Sequence, residues 1–152
     1  MIARRSFLLG TGALALAGCG GKPPGPTTVA LAFAGGAGMN PGPDGSDRPV
    51  TVSVLRLKDL GAFNGADYFA LSGDPAAALG GALVGMSQVA VPPGGTAALD
   101  VTFEPEAAFL GLVALVRDPN GKVWRASAPV VPHKAATGKV TLGPGGVSLA
   151  LA

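Results

Sequence analysis

The chain has 152 residues, enough for one domain and too few for two ordinary ones. Glycine (25) and proline (14) make up about a quarter of it, but 48% hydrophobic against 13% charged residues leaves ample apolar surface to bury, which excludes a wholly disordered chain. Setting aside Arg4 and Arg5, which fall in a segment read below as removed, leaves nine basic and nine acidic residues with no Lys/Arg cluster, which excludes a phosphate-backbone binder.

The amino terminus reads as an export signal. Arg4-Arg5 precede an apolar stretch from Phe7 to Gly18, the length of a signal core and too short to span about 30 Å of hydrocarbon. It ends Leu16-Ala17-Gly18-Cys19, a lipobox: the thiol takes a diacylglyceryl group and cleavage falls before Cys19. Arg4-Arg5-Ser6-Phe7-Leu8-Leu9 also resembles a twin-arginine export motif. A diacylglyceryl group plus an amide-linked chain makes a stable anchor, because each buried methylene contributes about 0.8 kcal/mol. Gly20 stands where an Asp would favour inner-membrane retention, so the expected destination is the outer membrane, facing the periplasm. Residues 1–18 are thus the signal peptide, and 19–26, rich in glycine and proline, a tether that is part flexible and part extended.

From Thr27 the apolar period is mostly two, predicting one domain over 27–152. Val29, Leu31 and Phe33 share one face of a first strand. Val50, Val52 and Val54 begin a second, and the parity change at Leu55 and Leu57 predicts a bulge or a change of sheet. Leu60, Phe63, Tyr68 and Leu71 suit one side of a short helix. Asp74-Pro75 reads as an N-cap followed by proline at the first helical position, with Leu79 and Leu83 four apart. Together these predict a small helical insertion at about 59–85. Val89 and Val91 lead to a turn at Pro92–Gly95, after which Leu99, Val101 and Phe103 face inward. Phe109 to Val116, apolar throughout, predicts a strand covered on both faces. Asp118-Pro119-Asn120-Gly121 predicts a turn, and Lys122–Val131 a returning strand with Trp124 and Ala126 on one face. A last hairpin folds across Gly143–Gly146. The expected fold is all-β in the main: an antiparallel β-sandwich of two sheets with one helical insertion.

Catalytic chemistry finds little to work with. His133, the only histidine, sits between Pro132 and Lys134 and reads as a solvated loop residue. With the one cysteine acylated there is no transition-metal ligand set, and no serine lies in a Gly-x-Ser-x-Gly turn. Asp44-Gly45-Ser46-Asp47 has too few acidic ligands for a calcium loop, and Glu104-Pro105-Glu106 reads as a turn. No enzyme, metal, cofactor or small-molecule substrate is expected beyond covalent lipid on Cys19. Two features stand out. The stretch Gly35–Pro49 is far longer than a hairpin connection and is a candidate binding loop. Trp124-Arg125 reads as a core Trp with an Arg that pairs an acid such as Asp67 or Asp100.

The lipobox at Cys19, Asn40-Pro41, Arg48-Pro49 with the strand Val50–Leu57, Leu57-Lys58-Asp59, Phe63, Ala66 to Leu71, Pro93-Gly94, Gly111 to Ala114 and Trp124-Arg125 together resemble the type VI secretion system outer-membrane lipoprotein, the TssJ (VasD/Lip) family. The resemblance spans about Val29 to Val131. It implies a transthyretin-like two-sheet sandwich and a non-enzymatic role: lipid at Cys19 seats the domain on the outer membrane, and the loop Gly35–Pro49 grips the periplasmic C-terminal domain of the TssM-type inner-membrane subunit. The candidate contacts in that loop are Met39, Asn40, Pro41, Asp44, Asp47 and Arg48. A second class open to a sandwich is carbohydrate or small-ligand binding, for which one Trp, one Tyr and six Phe offer few aromatic platforms.

Overall fold

The computed structural model describes residues 23–152; the expected signal peptide, Cys19 and the start of the tether lie outside the described residues. Eight strands are present among the described residues: β1 (Thr27–Gly35), β2 (Val50–Leu57), β3 (Leu83–Val91), β4 (Thr96–Phe103), β5 (Phe109–Leu115), β6 (Arg125–Pro129), β7 (Ala135–Gly143) and β8 (Gly146–Leu151). They form two four-stranded sheets, ordered β4-β1-β7-β8 and β3-β2-β5-β6. All strand pairs are antiparallel except β1 with β7, which run parallel because β1 is inserted between strands from the second half of the chain.

The inward residues follow the sequence period. Val29, Leu31 and Phe33 of β1 meet Val50, Val52 and Val54 of β2, Val101 and Phe103 of β4, and Leu110, Leu112 and Ala114 of β5 between the sheets. Each such aliphatic or aromatic side chain contributes about 1.5–3 kcal/mol by leaving water. The final hairpin forms as expected, with Val140 opposite Leu149 and Leu142 opposite Val147 across the two-residue turn Pro144-Gly145.

A second core lies on the far side of the β3-β2-β5-β6 sheet. Three short helices, α1 (Gly61–Gly65), α2 (Tyr68–Gly73) and α3 (Pro75–Leu79), end in a single 3₁₀ turn, Gly80–Ala82. They lay Phe63, Leu71 and Leu79 on Leu55, Leu57 and Val113. The parity change in β2 is therefore no change of sheet: 50, 52 and 54 face the sandwich, 55 and 57 face the helices, and both sets are buried. A register shift does occur, between Arg56 and Leu57 against β3.

Local chemistry explains the helices. Asp67 accepts the Ala70 N–H (2.8 Å) at the start of α2. Asp74 accepts the Ala77 N–H (3.1 Å) at the start of α3, where Pro75 takes the first position. Gly80 turns to φ 54° and ends α3, so Leu83 and Val84, expected in the insertion, belong instead to β3. The strand expected over Lys122–Val131 is shorter, covering Arg125–Pro129. Because β6 starts only at Arg125, strict alternation does not reach Trp124: it packs on the helical side, whereas Ala126 faces the sandwich.

Candidate functional site

The β1–β2 loop occupies residues 36–49 and is held by its own polar groups. At its base the Gly35 N–H donates to Gly95 O (2.8 Å) and the Gly36 N–H to Leu142 O (2.7 Å). Gly35 is needed there, because a Cβ would lie 2.4 Å from Pro92 O. Asp47 reaches back across the loop to accept from Gly38 N–H (2.8 Å) and Asn40 N–H (3.3 Å). Asn40 uses its amide on two sides: Nδ2 donates to Pro49 O (3.3 Å), and Oδ1 accepts the Arg117 N–H (2.9 Å) from the β5–β6 connection. The Arg48 N–H donates to Asn40 O (2.8 Å) and Gly42 N–H to Ser46 O (2.8 Å), which makes the outer part a miniature hairpin.

This placement divides the six expected contacts. Met39 is 1% exposed and fills the sandwich core; Asn40 is 6% exposed. Neither offers a surface to a partner, which corrects the sequence expectation: the loop is too glycine-rich to bury itself, so Met39 anchors it by apolar packing and Asn40 by hydrogen bonds. Asp47 is a brace. Pro41, Asp44 and Arg48 are exposed, with Arg48 Nη2 3.1 Å from Asp44 Oδ1. Gly42 sits so close to Arg48 that a Cβ would lie 2.9 Å from Nε. The presented tip is thus Pro41 to Arg48 with one solvated ion pair.

The opposite end of β1 receives the tether. His133 has φ 60°; its N–H donates to Thr27 Oγ1 (2.8 Å) and its Nδ1 lies 3.0 Å from Gly25 O, a contact that needs the proton on Nδ1. His133 is therefore a clip on the incoming chain and not a free loop residue. Nothing in its sequence neighbourhood signals this, because its partners are 106 and 108 residues away.

Beside the loop lies an aromatic corner. The Tyr68 hydroxyl donates to Val116 O (2.6 Å), and burial pushes its phenol up, keeping it a neutral donor, while that hydrogen bond pulls weakly the other way. The Tyr68 ring stands edge-on to Trp124 (5.3 Å) and to Phe69 (5.6 Å). Arg125 does not pair Asp67 or Asp100 as expected. Its Nη1 donates to Phe63 O (2.8 Å) and Ala66 O (2.7 Å), carbonyls left open at the end of α1, and its guanidinium lies 4.6 Å from the Trp124 ring centroid.

The other charged pair is Arg56 with Glu104, where Nε lies 3.0 Å from Oε2. Burial alone raises the Glu104 carboxyl, yet its own backbone N–H and the hydrogen bond and charge of Arg56 outweigh that and hold it below its ordinary value. Gly85 makes the pair possible, since a Cβ there would collide with the Arg56 guanidinium. Among the described residues no three His, Cys, Asp or Glu side chains gather as a metal site, and no helix is long and apolar enough to cross a membrane.

The arrangement has relatives. A chain in the crystal structure of the T6SS lipoprotein TssJ1 from Pseudomonas aeruginosa is 29% identical, with TM-score 0.77 over 84% of this chain and 97% of that one. A chain of a solved type VI membrane complex is 26% identical, with TM-score 0.70 over 82% and 98%. A chain in the structure of the T6SS protein TssM C-terminal domain from EAEC is 27% identical, with TM-score 0.64 over 83% and 98%. No curated protein matches the chain. The family model for type VI secretion lipoprotein (VasD, EvfM, TssJ) matches residues 27–145, which takes in the braced loop, the helical insertion and strands β1 to β7. The chain belongs to the TssJ family of type VI secretion lipoproteins.

Proposed function

We propose that this chain anchors the periplasmic C-terminal domain of a TssM-type inner-membrane subunit to the outer membrane, with lipid on Cys19 at one end and the β1–β2 loop at the other. As in its family, the role is structural and not enzymatic. The observation that carries the reading is the polarity of β1. The tether enters β1 beside His133, and the strand delivers the chain to the loop after nine residues, roughly 27 Å away. The entry of the tether and the docking tip are thus at opposite ends of one strand, so a pull on the loop reaches the tether through the sheet. The likeness to chains in structures of a type VI membrane complex and of a TssM C-terminal domain supports the choice of partner.

The test is binding of the purified TssM-type periplasmic domain to residues 23–152. Joint substitution of Pro41, Asp44 and Arg48 by alanine leaves Met39, Asn40 and Asp47 in place, so the fold should persist while affinity falls at least about tenfold, the loss expected when an interface centre is truncated. Unaltered affinity would sink the loop as the docking site.

A further inference from the structure

We propose that the docking surface extends beyond the loop onto α2, where Phe69 is a hydrophobic anchor that enters an apolar pocket of the same partner domain; this rests on the functional reading above. Phe69 is 77% exposed, the most exposed large hydrophobic side chain among the described residues. Its position is forced by the helix: Tyr68 and Leu71, three apart, turn inward, which leaves the ring at 69 pointing out.

The ring is not a stray surface residue. It stands edge-on to Tyr68, Tyr68 stands edge-on to Trp124, and the guanidinium of Arg125 lies over Trp124, so three aromatic rings and an arginine form one contiguous, braced cluster. Tyrosine, tryptophan and arginine are the types most enriched where binding energy concentrates, and a rigid ring loses little conformational freedom on docking. The cluster is continuous with the loop through two backbone atoms: Val116 O accepts from Tyr68, and the next residue's N–H, that of Arg117, donates to Asn40 of the loop. The proposal is that a partner seated on the tip Pro41–Arg48 also reaches Phe69, next to Tyr68 in the chain. Val123, 58% exposed, adds apolar surface next to Trp124 in the chain.

A protein occupant suits this corner better than a sugar. Sugar recognition needs free polar groups around an open aromatic face. Here Asp67 Oδ1 accepts the Ala70 N–H, the Tyr68 hydroxyl donates to Val116 O and Arg125 Nη1 donates to Phe63 O and Ala66 O, so these atoms are engaged within the chain. The ring that Phe69 presents is apolar.

The experiment measures binding of the TssM-type periplasmic domain to residues 23–152 carrying Phe69→Ala or Phe69→Leu, beside wild type and the triple loop-tip variant. Phe69→Ala should weaken binding about 10- to 30-fold with an unchanged melting temperature, and Phe69→Leu should restore most of the loss. If the loop-tip variant loses affinity and Phe69→Ala does not, the inference about Phe69 fails and the loop reading stands. A wild-type domain that does not bind the partner overturns both. Retention of the wild type on a glycan array or on phospholipid vesicles that disappears with Phe69→Ala, with partner binding intact, overturns the protein-pocket assignment.

Discussion

Polar side chains in this protein act mainly as braces, and the clearest case is Asn40, whose amide ties the loop at once to Pro49 and to Arg117. An asparagine can do this because one short side chain carries a donor and an acceptor on a common plane. Its position in a Gly/Pro-rich stretch was plain from the sequence, but its role was not: the Arg117 partner is 77 residues away, and no local pattern encodes that. The same holds for Arg125, whose partners proved to be helix-end carbonyls and not an acid. Glu104 gives a residue-scale prediction. Its folded-state carboxyl value lies below the unfolded one, so ionised Glu104 favours the folded chain. That contribution is present above about pH 4.3 and fades as pH falls through the lower folded value. With the Glu104 side chain 38% exposed to screening solvent, its worth is below about 1 kcal/mol. Glu104→Gln should therefore be slightly less stable than wild type at pH 7, and the gap should be smaller at a pH below about 4.3. Urea denaturation at both pH values checks this, and an equal gap at both would contradict it.

At the scale of elements, β2 and β5 explain why alternation was only half informative. Both are central strands with a sandwich core on one face and a helical cover on the other, so apolar residues occupy both parities. In β5 the unbroken apolar run announced this, and it holds: Leu110, Leu112 and Ala114 face one core and Val113 the other. In β2 the threonine and serine at 51 and 53 mimic a half-exposed strand, although Ser53 is buried and accepts a hydrogen bond from Gln88 (3.2 Å). The helical cover depends on one missing side chain. A Cβ on Gly111 would lie 2.9 Å from Leu57 Cδ1 and 3.3 Å from Phe63 Cε2, so Phe63 packs where a side chain would otherwise stand. Gly111→Val should overpack this contact and cost about 1–3 kcal/mol. The urea midpoint reports it directly: a midpoint equal to wild type would mean that the helices are not seated on β5 as described.

For the whole molecule, the proposed function puts tether, clip, strand and loop in one line from anchor to docking tip. On that proposal Cys19→Ser removes the acceptor for lipid, so the variant should fold with an unaltered melting curve yet leave the membrane fraction for the soluble periplasm. Fractionation with immunoblotting checks this, and a Cys19→Ser protein that stays in the outer membrane would remove the anchoring argument. The amino-acid order alone determined the two-sheet β class, the capped helix at Asp74, the last hairpin and the family. Those features depend on short-range periodicity, on caps and turns a few residues long, and on motifs ordered along the chain. Only the tertiary structure decided that Met39 is a core plug, that His133 clips the tether, that Arg125 caps α1, and that the Phe69 ring is left exposed. Each of these joins groups from 59 to more than 100 residues apart or depends on which face of an element is already covered, and sequence spacing carries no record of either.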